Sequence, residues 1–162
     1  MVNEETQQPT GAKREARYEP TRTAIAAAAK GNLADLRDVL ETHSHVAAPL
    51  DPGSAAVLHA GVAKGRNAII SELIGRGIDV NKPAWSGGVM MTALCAALAR
   101  GPRGEATARL LRDAGAVSDV LTAAYLGELE ALSEALDAAP ELVNELDPAS
   151  VSSARPWWTT RY

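Results

Sequence analysis

The chain has 162 residues, a formal net charge of −4 and a hydrophobic fraction of 46%. That length fits one domain with tails, and the acidic balance argues against bulk nucleic-acid binding, which expects a basic domain. A single cysteine, Cys95, excludes an intrachain disulfide and suits a reducing compartment.

The apolar residues are unusual in kind. Ala dominates, Phe is absent and aromatics make up only 4%. Ala, Leu, Val and Ile suit closely packed helices in thin layers, because Ala has the highest helix propensity and no side-chain entropy to lose. Met1 leads into a polar stretch without an apolar core, so no secretory signal is expected. No run approaches the ~18 apolar residues of a membrane span. The expected setting is cytoplasmic, with no membrane contact.

In chain order, residues 1–21 form a polar N-terminal segment with alternating charges, expected to be a flexible lead with at most a short helix from Lys13 to Tyr18. Self-similarity follows. Four segments, approximately 22–50, 51–81, 82–116 and 117–147, align on Gly31, Gly65, Gly101 and Gly127. In the clearest, LHAGVAKGRNAIISELIGRGIDVN (58–81), a first helix is predicted from Leu58 to Lys64 and ended by Gly65. A second helix carries Ile69, Ile70, Leu73 and Ile74 on one face and ends at Gly77. The pattern recurs in TALCAALARG (92–101) followed by ATARLLRDAGA (106–116), where Gly115 occupies the position of Gly77. In the first segment Leu36, Val39 and Leu40 are expected to face inward, and in the fourth Leu129, Leu132, Ala135 and Leu136.

These linked motifs resemble the ankyrin repeat family. The residues that carry the likeness are Ala56-Val57-Leu58-His59, Gly65, Ile69-Ile70, Leu73-Ile74 and Gly77-Ile78-Asp79-Val80-Asn81, then Thr92-Ala93-Leu94-Cys95, Ala97, Gly101, Leu110-Leu111 and Gly115-Ala116. The resemblance covers roughly residues 22–147. It implies an all-α solenoid of antiparallel helix pairs with short β-hairpin fingers, binding through the fingers and the concave face, with no catalytic residues and no cofactor. Glycine spacings of 34, 36 and 26 residues depart from the usual period of about 33. The long interval lengthens one finger, and the short one forces residues 116–118 to turn directly into the next helix. The resemblance also implies that His59 hydrogen-bonds neighbouring backbone and ties repeats together. Cys95 fills the equivalent slot and is expected in the core.

The stretch KPAWSGGVMMTA (82–93) is the most informative anomaly. Gly87-Gly88 supplies a turn, and Trp85, Met90 and Met91 surround it. Trp is enriched at binding hot spots and Met adapts to varied surfaces, so these three are candidate partner-binding residues. Lys30, Lys64 and Arg100 each precede a repeat glycine. With repeats in register they form a cationic row that would favour an acidic partner, although cations at helix C-termini are also favoured by the helix dipole. The C-terminal tail, 148–162, carries Trp157-Trp158 between Arg155 and Arg161. It is expected to cap the last repeat, to enter the groove of its own or a neighbouring chain, or to dock on another protein. From Asp113 to Ala154 nine acidic residues stand without a Lys or Arg, which reads as a solvated face.

His43-x-His45 could offer two metal ligands, but no third is indicated, so no metal is expected. No phosphate loop, Cys-x-x-Cys, His-Glu-x-x-His or Gly-x-Ser-x-Gly occurs. The leading expectation is a protein–protein interaction module or scaffold. The rival is a small-molecule binder or unusual tailoring enzyme, its pocket closed by the tails, lined by Trp157, Trp158, Tyr18 or Tyr125 and served by His43, His45 or His59. A third reading is self-association through the C-terminal tail.

Overall fold

The computed structural model describes residues 11–51, 53–86, 89–138 and 140. It is mostly helical, as the period suggests. The order is α1 (Gly11–Lys30), α2 (Leu33–Thr42), α3 (Ser54–Lys64), α4 (Asn67–Gly75), β1 (Ala84–Ser86), β2 (Val89–Met91), α5 (Ala93–Leu98), α6 (Glu105–Asp113), α7 (Val120–Leu126) and α8 (Leu129–Ala138). One-turn 3₁₀ segments lie at Ser44–Ala47 and Gly101–Gly104. Contacts divide the chain into two compact units, Met1–Asp79 and Val80–Tyr162.

In the first unit α1 packs on α2 and α3, and α4 packs on α3 and α2. First helix lies on first helix and second on second. The contact surfaces show why Ala is so abundant. Ala24, Ala27 and Ala28 of α1 are buried, as are Ala55, Val57, Leu58 and Val62 of α3. Small residues let helix axes approach closely, and Leu36, Leu40, Ile69, Ile70 and Leu73 of the second helices fill the remaining volume at or below 1% exposure. Val39 and Ile74, also expected inward, are half-buried.

The helix pairs close by one device. Gly31, Gly65, Gly77, Gly115 and Gly127 all hold positive φ, between 64° and 89°. The residue after each donates its N–H to a carbonyl five positions back: Asn32 to Ala27, Arg66 to Gly61, Ile78 to Leu73, Ala116 to Leu111 and Glu128 to Ala123, at 2.9–3.2 Å. This satisfies carbonyls that a helix end leaves free. Gly101 also has φ 60° but opens a 3₁₀ turn instead. Helices α2, α5 and α7 are capped at their starts by side chains. Asn32, Thr92 and Asp119 accept from the N–H groups of Asp35, Cys95 and Thr122.

In the second unit α5 packs on α6 and α7, and α7 on α8. The side chain of Asn81 joins two turns far apart in sequence: its Nδ2 donates to the Gly115 carbonyl at 3.1 Å, and its Oδ1 accepts from Val117 N–H at 3.0 Å. Thr92 and Thr122 hydroxyls meet at 3.3 Å between α5 and α7.

Four details depart from the sequence-based expectations. The polar lead is not separate from the first helix: α1 runs from Gly11 through Pro20, which lies within it. Lys, Arg, Glu and Ala are good helix formers, and proline at this point removes a single N–H donor. Helix α3 starts at Ser54 rather than Leu58, because Asp51 organises its start: its carboxylate accepts from Gly53 N–H at 2.7 Å, and its carbonyl accepts from the Ser54 hydroxyl at 2.9 Å. Only one finger forms a hairpin among the described residues; the first connection uses the 3₁₀ turn Ser44–Ala47. Finally, α8 has no buried residue, and Leu129, expected inward, is 75% exposed. An apolar face is covered only where another layer meets it, and α8 has α7 alone as its main neighbour.

A Cβ at Gly104 would overlap the Ala97 carbonyl oxygen, whereas at Gly75 it would meet nothing within 4 Å. Gly104→Ala is therefore expected to cost about 2–3 kcal/mol through overpacking. Gly75→Ala, at the end of α4 without positive φ, should be neutral or stabilising by up to ~1 kcal/mol. Urea denaturation of both variants tests this contrast; equal midpoints would contradict it.

Candidate interaction surface

Strands β1 and β2 form an antiparallel hairpin with Ala84 opposite Met91, Trp85 opposite Met90 and Ser86 opposite Val89. Directly opposed residues share a face, and successive residues alternate faces. Trp85 and Met90 thus project together on one side, 55% and 41% exposed. Ala84, on the other side, is 8% exposed, and Met91 is half-buried. The hairpin turns one face onto the fold and offers an aromatic and a thioether outward. Two large apolar side chains side by side in water carry the cost of ordering water around them, a cost that a partner surface removes.

Lys30 and Lys64 are exposed at the last positions of α1 and α3, both in the first unit. Arg100 is half-buried and belongs to the second unit. A cation that sequence reasoning missed, Arg66, lies over the end of α1: its Nε donates to the Ala29 carbonyl at 3.4 Å, and its side chain fills the space beside Gly31. This position answers the negative end of the helix dipole. The signal was Arg66 directly after a helix-ending glycine, but the contact spans 37 residues and needs the stacked pairs.

Another cluster missed from sequence joins α2 to α4. Glu72 lies between Arg37, at 2.7 Å, and Arg76, at 2.8 Å. Hydrogen bonds from Arg37 and then Arg76 hold its carboxyl below the ordinary range. Arg37, Ala68, Ser71, Glu72, Gly75 and Arg76 line an open depression of about 660 Å³. With its carboxylate already engaged by both arginines, this cluster ties the second helices together. No histidine or aromatic residue proposed for a closed pocket lines it.

The three histidines are separate in kind. His43 and His45 meet edge to face with ring centroids 5.9 Å apart, and the described residues contain no group of three or more metal-ligating side chains. His59 on α3 is 4% exposed. Its expected hydrogen bond to backbone is absent: neither Nδ1 nor Nε2 has a partner. The surrounding α3 residues are apolar, and burial lowers its pKa from 6.5 to about 4. Cys95 is buried as expected, and burial pushes its thiol pKa up against the hydrogen bond with Thr122. A thiol held protonated in the core is a poor nucleophile. Tyr18 is 48% exposed on α1. Trp157 and Trp158 lie outside the described residues, as does the side chain of Tyr125. No described helix is long and apolar enough to cross a membrane.

Because His59 is neutral in the fold and its folded pKa is the lower one, the unfolded chain binds a proton more readily. Its contribution is complete above about pH 6.5 and is lost as pH falls toward 4. At about 1.4 kcal/mol per pKa unit, the loss reaches roughly 3 kcal/mol. His59→Leu should keep or raise stability at pH 7, since no hydrogen bond is lost, and should flatten the decline between pH 6.5 and 4. Denaturant titrations across that range measure both effects. A large loss at pH 7 would show that an imidazole nitrogen is paired after all. Comparisons with protein-family models, with curated proteins and with solved structures each find no match to this chain.

Proposed function

We propose that this chain is an ankyrin-type solenoid that serves as a protein-interaction module, gripping a protein partner through its single described finger. The observation that carries the reading is the Trp85–Met90 cross-strand pair, held outward by a hairpin whose opposite face is covered. The solenoid part is supported by the five identical helix closures and by first-on-first and second-on-second packing in the first unit. Repetition of one supersecondary unit is how such folds build a continuous core and a repeated binding face.

The pair has the features of a binding anchor. Trp85 brings a large rigid area with one polar N–H, and Met90 beside it adapts to the contour of a partner. Lys30 and Lys64, exposed at their helix ends, would favour acidic groups on that partner.

A photoreactive amino acid placed at position 85 should give a discrete covalent protein adduct in cells, and one placed at exposed Glu130 should not. With the captured partner purified, Trp85→Ala should weaken binding by about 30-fold or more, the scale of a hot-spot truncation, without changing the helical circular dichroism. An affinity unchanged by Trp85→Ala would move the interface away from the finger.

A further inference from the structure

We infer that the turns after α1 and α3 form a second interaction surface, where Lys30, Lys64 and Arg66 take a short acidic segment of a protein partner. The inference rests on the protein-binding reading for the class of partner, but its residues belong to the first unit and not to the finger. Arg66 fixes the placement. Its side chain lies along the Gly31 turn: a Cβ at Gly31 would stand 2.9 Å from its Cδ and 3.5 Å from its Cζ, and its Nε donates to the Ala29 carbonyl at 3.4 Å. Lys30 sits between those two contact points, and Lys64 is two residues before Arg66. With about 3.8 Å between neighbouring Cα atoms, the three cations stand on two touching turns. Their separations are on the order of the ~8 Å Debye length at physiological salt, so their fields add.

All three are exposed, and none takes part in an ion pair among the described residues. Arg37 and Arg76, by contrast, are both committed to Glu72. Arg66 engages only its Nε, which leaves the terminal nitrogens of the guanidinium for a ligand. Asp35 is the single acidic residue within 27–35 and 61–69. Because α1 and α3 end where α2 and α4 begin, opposed helix dipoles offset one another here. Three cations against one carboxylate then set the local potential. Charge also selects the occupant. The whole chain carries −4, so a long polyanion such as a nucleic acid would be attracted at these turns and repelled elsewhere. A segment with a few closely spaced Asp or Glu residues meets the local field alone. The planar fork of Arg66 suits one carboxylate, and the lysines act as point charges for its neighbours.

The test uses the full chain and a fluorescein-labelled hexaglutamate peptide, with binding read by fluorescence anisotropy at low and physiological salt. Lys30→Gln, Lys64→Gln and Arg66→Gln together should weaken binding by about tenfold and flatten its salt dependence, with helicity kept. Lys30→Gln with Lys64→Gln leaves the Arg66 contact to α1 intact and should still weaken binding several-fold. Replacing Arg22, Arg103 and Arg109 by Gln removes three exposed cations elsewhere and should have little effect. Trp85→Ala should leave the peptide affinity unchanged, which separates a failure of the finger from a failure of this surface. Equal weakening by the two triple variants would overturn the proposal, since net charge alone would then explain binding. Absence of peptide binding at low salt would also overturn it, as would tighter binding of a single-stranded DNA of equal charge.

Discussion

Ending one helix and starting an antiparallel one two residues later leaves little room for error. The carbonyls of the first helix need donors, the chain must reverse, and the second helix needs its own N-terminal acceptor. In this protein the reversal depends on a glycine at positive φ followed by an N–H that bonds five residues back. Lys30 to Leu33, Lys64 to Asn67 and Leu126 to Leu129 are all bridged this way. A side chain at any of these glycines would bring Cβ strain into the left-handed region. The turn geometry then decides which faces of the paired helices meet, and everything above it follows.

What meets across those faces is small. Alanines and Gly61 let α1, α3 and α4 approach closely; a Cβ on Gly61 would press on Ile69 at 3.3 Å. Thin layers of this kind need no Phe, and the chain has none. They also leave their outermost surfaces unfinished, because each layer is covered only by its neighbours. Helix α8 shows this most plainly. The hairpin shows a different exposure: Trp85 and Met90 project outward although the opposite face of the same ribbon is covered. The first is a helix that packs mainly on α7 among the described residues, and the second is an apolar surface that the ribbon itself presents.

Polar groups are handled unevenly. Asn81 satisfies one carbonyl and one N–H in turns more than thirty residues away, and Glu72 engages two arginines from different helices. His59 sits deeper than either with both nitrogens unpaired. An imidazole in such a place is neutral, and its cost is set by desolvation alone. It therefore makes the first unit sensitive to acid in a way that its alanine-rich surroundings are not.

The sequence by itself determined the helical period, the glycines that follow α1, α3, α4, α6 and α7, the inward positions of Leu36, Leu40, Ile69, Ile70 and Leu73, and the hairpin that carries Trp85. These are local matters: glycine at positive φ, apolar residues three and four apart, and two short strands close together in sequence act within a few residues. Tertiary structure decided the rest. It joined Pro20 and the polar residues before it to α1, since propensity tolerates charge where no burial is demanded. It decided that Leu129 stays exposed although its spacing matches that of buried leucines elsewhere, because burial requires a neighbour and spacing only offers a face. It paired Arg66 with the end of α1, and Glu72 with Arg37. It also left His59 without the hydrogen bond that its motif implies. The Arg66 and Glu72 contacts join groups more than thirty residues apart, and the exposure of Leu129 depends on which elements pack against α8; no local pattern encodes either.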